Sequence, residues 1–319
     1  FIFFLVVSRL FAIGFASNVF NILVFAKLGF QDTVNISILA LTVADLGSLL
    51  TLQWRNICYF PQFLAADLPF IPSEVENATA GWLRICFVRM AAMITAYVPL
   101  ERCLCITLQL KVKVVLTPKR VACILLGIVL LMVISVIPIF LDTQFVFKFY
   151  LLWNRTALGS VYSDDKGKTE YTMLAFSTFY SLLTFIAIII LTAVLVRQLK
   201  INSKWRLTSA TSSKSPAMST SYRKVSKIMI FILVTFVACY FPGTVSFLCA
   251  LINPDFLPNG PYYGVLKIIV LASTVLETDS ATANIAIYLK MSSKFRNQLF
   301  SLIFCGTRSE NKQVSECSS

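Results

Sequence analysis

Long apolar runs alternate with short polar ones along the whole chain. Seven runs, at 1–27, 33–60, 81–107, 119–141, 171–198, 223–252 and 262–289, reach the roughly 20 mostly apolar residues that a helix needs to cross a bilayer. The pattern predicts an all-α protein, a bundle of seven transmembrane helices. The first run starts inside apolar sequence at Phe1, with no initiating Met. We therefore expect a chain truncated at its N-terminus rather than one that opens with a signal peptide.

Composition supports the bilayer as solvent. Of 319 residues 57% are hydrophobic and only 13% charged, with a mean hydropathy of +0.79, too apolar for a water-soluble domain of this length. The net charge of +13 would suit nucleic acid in a soluble protein. Here Lys and Arg fall between apolar runs, the pattern of cytoplasmic membrane loops, so nucleic acid is not an expected partner.

The loops set an orientation. Lys27, Lys111, Lys113, Lys119, Arg120, Arg197, Lys200, Lys204, Arg206, Lys290, Lys294 and Arg296 follow spans one, three, five and seven, which puts these loops in the cytosol. The opposite loops carry Asp67, Glu74, Glu76, Asp142, Asp164, Asp165 and Glu170 and the sequons Asn77-Ala-Thr and Asn154-Arg-Thr, so Asn77 and Asn154 are candidate glycosylation sites on the outer side. The expected topology has the N-terminus outside and Ser319 inside, at the plasma membrane.

Ionisable and amide groups inside the apolar runs are the candidate functional residues, because polar groups in hydrocarbon are expensive and face the bundle interior. Glu101 and Arg102 lie at the cytosolic end of span three, where Arg102 can snorkel and pair with Glu101. Asp45 sits near the middle of span two and Asn18 at a similar depth in span one, a candidate hydrogen-bonded pair. In FVACYFPG, residues 236–243, Pro242 removes a backbone donor and should kink span six, with Phe236, Cys239 and Tyr240 on the cytosolic side. In NIAIY, residues 284–288, Asn284 and Tyr288 share one face of span seven.

This series, one element per helix, resembles the class A, rhodopsin-like G-protein-coupled receptors. More narrowly, GFQDTVNISILALTVADLGSLLTL (29–52) and ERCLCITLQLKVK (101–113) look like the chemosensory receptors of gastropod molluscs. The resemblance implies no bond-making chemistry. It maps the family's span-one Asn to Asn18, span-two Asp to Asp45, acid-Arg-aromatic triplet to Glu101-Arg102-Cys103, span-six switch to Phe236, Cys239, Tyr240 and Pro242, and span-seven motif to Asn284 and Tyr288. Cys103, Tyr240 and Ile285 depart from the family pattern. No Cys occurs between Asp142 and Tyr171 to form the usual outer disulfide, so the second outer loop is expected to be less constrained than in relatives.

The resemblance implies a heterotrimeric G protein as inner partner, with Arg102 held by Glu101 at rest and Leu110 packing against the partner. Asp45, Ser280 and Asn284 form a candidate Na⁺ site, the one cofactor expected; no metal cluster or catalytic group is read. At about 1.5 Å per helical residue, Arg84 lies about 27 Å from Arg102 and Arg55 about 15 Å from Asp45, both near ligand depth. Two readings stay open there: Arg84, with Arg55, Glu277 and Tyr240, holds a small carboxylate-bearing ligand such as an amino acid or short peptide, or both Arg snorkel and Glu277 is an internal counter-ion. A peptide or neurotransmitter receptor of the same class is the alternative. An ion-coupled transporter or channel, with Asp45 and Glu277 as its path, is the competing class, against which stands the absence of an internal repeat.

Phe295, Leu299, Leu302 and Ile303 form one face of an amphipathic helix over about 293–305, opposite Lys294, Arg296 and Asn297, lying on the inner leaflet. Cys305 ends it and is a candidate for palmitoylation. The receptor domain is read as 1–305 and 306–319 as a short cytoplasmic tail. The Ser/Thr-rich stretch between spans five and six reads as flexible, with two readings open: hydroxyls beside Lys and Arg as kinase targets, or a solvated linker.

Overall fold

The computed structural model describes residues 2–108, 112–151, 154–162, 166–209, 216–256, 260–291 and 293–302. Its long helices are α1 (Ile2–Leu28), α2 (Thr33–Cys58), α5 (Trp82–Leu108), α7 (Pro118–Leu141), α8 (Lys166–Ser209), α9 (Pro216–Ile252) and α10 (Tyr263–Met291). Short helices α3 (Pro61–Ala65), α4 (Pro72–Glu76) and α6 (Val112–Val115) lie between them, and α11 runs over 293–302. A π-helical turn, Asn77–Gly81, leads straight into α5. Polar caps set the starts: Asp32 accepts from Val34 N before α2, and Thr117 accepts from Arg120 N before α7, with Pro118 in the first turn.

Among the described residues six helices are long and apolar enough to cross a membrane by length and composition. The seventh, α10, is 29 residues long but carries Lys267, Glu277, Asp279 and Lys290. It packs against α9 on one side and α1 on the other, which closes the ring of seven. Large apolar side chains such as Leu126, Ile134, Ile186, Ile189 and Ile268 stand exposed on the outside. Such a surface suits lipid, where only the helix backbone must satisfy itself.

Three apolar clusters hold the bundle. Leu41, Met90, Ile94, Leu125 and Met132 join α2, α5 and α7. Ala92, Phe185, Ile188, Phe236 and Tyr240 join α5, α8 and α9. Phe25, Tyr288 and Phe295 join α1, α10 and α11, with ring centroids 5.2 to 5.7 Å apart. The third cluster anchors α11 as its pattern predicts: Phe295 and Leu299 are buried while Lys294, Arg296 and Asn297 are exposed. Ile303 and Cys305 lie outside the described residues, as does Leu110.

The fold is the helical bundle that the apolar runs predict, with one small addition: β1 (Thr143–Tyr150) and β2 (Arg155–Tyr162) form an antiparallel hairpin over one end of it. That loop, which holds no cysteine, is tied down by other contacts. Leu158 exchanges backbone hydrogen bonds with Pro69 and Ile71 at 2.8 and 2.9 Å, Lys148 pairs with Glu74 at 2.9 Å, and Arg155 pairs with Asp67. Burial works against the charge on Lys148, but its bond to Glu74 outweighs this and holds its pKa above the ordinary lysine value. The stretch between spans five and six is also less loop-like than its composition suggests: α8 continues to Ser209 and α9 begins at Pro216. At 44 residues α8 is about 66 Å long, well beyond a hydrocarbon core of about 30 Å.

Candidate functional site

The polar interior falls into three levels, named here from the hairpin end to the Arg102 end. At the hairpin end, Arg84 of α5 donates through a terminal nitrogen to Glu277 Oε2 of α10 at 2.9 Å, with both residues less than a tenth exposed. Pro242-Gly243 makes room for this pair: a Cβ on Gly243 would stand 3.0 Å from Glu277 Oε1. The Arg84 cation is therefore already matched by a carboxylate. Buried Glu76 lies within electrostatic reach of both Arg84 and Arg55. Arg55 itself is half-buried and lies over the Tyr59 ring, 5.6 Å from its centroid. Tyr240, two residues before Pro242, is buried and stacks at 4.1 Å on Phe236, one turn earlier in α9.

At mid-depth Asn284 Nδ2 donates to Asp45 Oδ2 at 2.7 Å. Asp45 is 2% exposed, so this bond answers the demand of a carboxylate in the bundle for a polar partner. Asn18 does not pair with Asp45. Its amide donates to Gly14 O at 2.8 Å and Ala281 O at 3.3 Å, pinning α1 to α10 through backbone. Ser280, half-buried, stands one turn from Asn284 on α10.

At the far end Glu101 is 1% exposed and accepts from Thr33 Oγ1 and from Ser37 Oγ, the latter at 3.0 Å. Among the described residues Arg102 forms no ion pair, and its Nε is buried without a hydrogen-bond partner. The expected Glu101–Arg102 pair is thus replaced by a bond between α5 and α2. Successive residues of a helix point about 100° apart, which turns the two side chains to different neighbours.

Two buried charges at the hairpin end have no place in the site read from sequence. One is Glu76; the other is Arg89 of α5, whose Nε donates to Ser177 Oγ of α8 at 3.0 Å. Arg89 was visible in sequence as a lone charge in FVRMAAM, the same signal that picks out Asp45. The candidate glycosylation sites differ in setting. Asn154 is exposed at the hairpin tip with a φ of 46°, whereas Asn77 is half-buried in the π-helical turn.

A ring of seven membrane-length helices with a buried polar ladder through its interior defines a multi-pass membrane protein of the seven-helix receptor type. Residues 17–284 match the family described as 7 transmembrane receptor (rhodopsin family). The chain belongs to that family, the class A G-protein-coupled receptors, and is a receptor rather than an enzyme. No curated protein matches it.

Proposed function

We propose that this receptor is chemosensory, taking a small carboxylate-bearing ligand at the hairpin end and activating a heterotrimeric G protein at the Arg102 end. In this reading the hairpin end is extracellular, the N-terminus lies outside, the C-terminus is cytosolic and the chain resides in the plasma membrane. Residues 1–305 are the receptor domain and 306–319 a tail, with Asn77 and Asn154 glycosylated and Cys305 palmitoylated.

The observation that carries the reading is the buried Arg84–Glu277 pair, which ties α5 to α10 beside Gly243, the residue after Pro242 in α9. A charged ligand that reaches this pair would bind in competition with one of its partners. Its contact energy thereby becomes a change in helix arrangement, since only differential affinity for two states shifts their populations. Arg55 and Tyr240 flank the pair on α2 and α9. Movement of α9 below Pro242 would act through the stacked Phe236 and Tyr240, and the Asp45–Asn284 bond and Tyr288 would transmit it towards Arg102 and Leu110. Na⁺ held by Asp45, Ser280 and Asn284 would favour the resting arrangement.

The experiment is a panel of amino acids, short peptides and carboxylic acids applied to cells expressing the full-length chain. Nucleotide exchange on added G protein is read beside membrane current. Ligand-driven exchange without current is expected; current without exchange would instead favour a channel.

A further inference from the structure

Of the two buried cations at the hairpin end, one has no ion-pair partner among the described residues. Arg84 is matched by Glu277, whereas Arg89, five residues on, turns to the opposite side of α5. Arg89 is 5% exposed, and of its five N–H donors one is used, on the neutral Ser177 hydroxyl. Its guanidinium lies 5.2 Å from the centre of the Phe247 ring. Among the described residues no carboxylate lies within 4.0 Å of it. The acid whose field reaches it, Glu277, is already engaged by Arg84. A buried cation with no paired anion is costly, and partnered burial is the rule.

The space beside Arg89 tells what is wanted. A cavity of about 20 Å³ touches Arg89, Trp82, Cys86, Ser135, Ser177 and Tyr180. Trp82 lies two turns from Arg89 on the same face of α5, and its buried Nε1–H has no acceptor. Two residues with unused donors therefore line one space, and an acceptor there would answer the Arg89 guanidinium. The cavity shares Ser135, Met173, Phe176 and Tyr180 with a groove of about 550 Å³ between α7 and α8, whose walls include Leu131, Ile134 and Pro138. That volume is within the range of about 300–1,000 Å³ typical of small-molecule sites.

We propose that Arg89 and the α7–α8 groove form the carboxylate-reading part of the ligand site, and that its occupant is a monocarboxylate with an unbranched apolar chain. The carboxylate sits beside Arg89, the chain lies in the groove, and the ligand arrives from the lipid side. This rests on the receptor reading above and moves recognition of the anion from Arg84 to Arg89.

The test uses the full-length protein in phosphatidylcholine nanodiscs with tritiated decanoate, read by scintillation proximity without G protein. Saturable binding is expected, displaced by unlabelled decanoate and about ten-fold or more weakly by methyl decanoate. Arg89→Gln should weaken decanoate by about the same factor, and Trp82→Phe should weaken it by less. Non-saturable uptake, equal competition by the ester, or wild-type affinity in Arg89→Gln would each overturn the proposal. Should Arg89→Gln not fold, Ile134→Trp fills the groove from its lipid-facing wall and touches no buried charge. Unchanged decanoate affinity in that variant would also overturn it. Binding without nucleotide exchange would count against the receptor reading alone, and exchange driven by other ligands without decanoate binding against this proposal alone.

Discussion

Glu101 and Arg102 are neighbours in the chain but not partners in the fold. The carboxylate is tied to Thr33 and Ser37 of α2, and the guanidinium is left without a counter-ion among the described residues. The division separates a structural role for the acid from the coupling role proposed for the base. Arg102→Ala should therefore abolish ligand-driven nucleotide exchange while surface labelling stays within about two-fold, a stability change of well under 1 kcal/mol by the tenfold-per-1.4 rule. The paired measurement is exchange on added G protein and antibody labelling of intact cells. Exchange retained in the variant would remove Arg102 from the coupling machinery.

The same division predicts the opposite behaviour at Glu101. Hydrogen bonds to a charged group contribute about 1.5–3 kcal/mol each, and a buried carboxylate stripped of its donors bears the full desolvation penalty. Thr33→Val combined with Ser37→Ala should lower the thermal midpoint of the purified protein by several degrees. Adding Glu101→Gln should recover much of the loss, because the amide tolerates burial without those donors. A midpoint indifferent to all three changes would show that the α5–α2 bond contributes nothing.

How much of this arrangement is legible in sequence depends on the range over which each feature is determined. A span is written in about 20 consecutive residues, so five of the seven long helices emerge within two residues of their final bounds, while α8 and α9 run several residues beyond their apolar stretches. Asp45, Arg84 and Asn284 stand out because each is a lone polar group in apolar surroundings. Their partners are another matter: Glu277 lies 193 residues from Arg84 and Asn284 lies 239 from Asp45. Nothing local tells Asn18 to seek the backbone of α10 instead of Asp45. The hairpin is an intermediate case. TQFVFKFY has the aromatic and β-branched content of a strand. What fixes it, however, is pairing with Pro69 and Ile71 and ion pairs to Asp67 and Glu74, all more than 70 residues away.

The Arg84–Glu277 pair invites a double-mutant cycle. Removing one partner of a buried ion pair costs about 3–5 kcal/mol because the other charge is stranded, whereas removing both can be nearly neutral. Arg84→Gln and Glu277→Gln should each cut surface expression and thermal stability sharply. The double variant should regain most of both. Additive losses in the double variant would mean that the two side chains contribute independently.

Asp45 gives a prediction about salt. Its carboxylate receives one hydrogen bond, from Asn284, at a depth where a cation would stabilise it further. Replacing choline chloride by NaCl at equal ionic strength should raise the thermal midpoint of the ligand-free protein. Asp45→Asn should remove that difference, because an amide cannot neutralise Na⁺. A wild-type midpoint identical in the two salts would eliminate the proposed Na⁺ site.

Orientation itself can be read from one residue. Asn154 stands exposed at the tip of the β1–β2 hairpin, which two ion pairs and the backbone bonds of Leu158 fasten to residues 67–74. Asn77 is half-buried in a π-helical turn that runs directly into the third span. An acceptor sequon must present its amide clear of the membrane on the lumenal side, so Asn154 meets the requirement far better than Asn77. The mature protein should lose mass on treatment with an amidase that removes N-glycans. Asn154→Gln should abolish most of that mobility shift, and Asn77→Gln should leave most of it. A protein with no amidase-sensitive shift at all, in cells that glycosylate a control receptor, would argue that the hairpin end faces the cytosol. The positive loops near Arg102 would then lie outside, against the charge asymmetry on which the whole orientation rests.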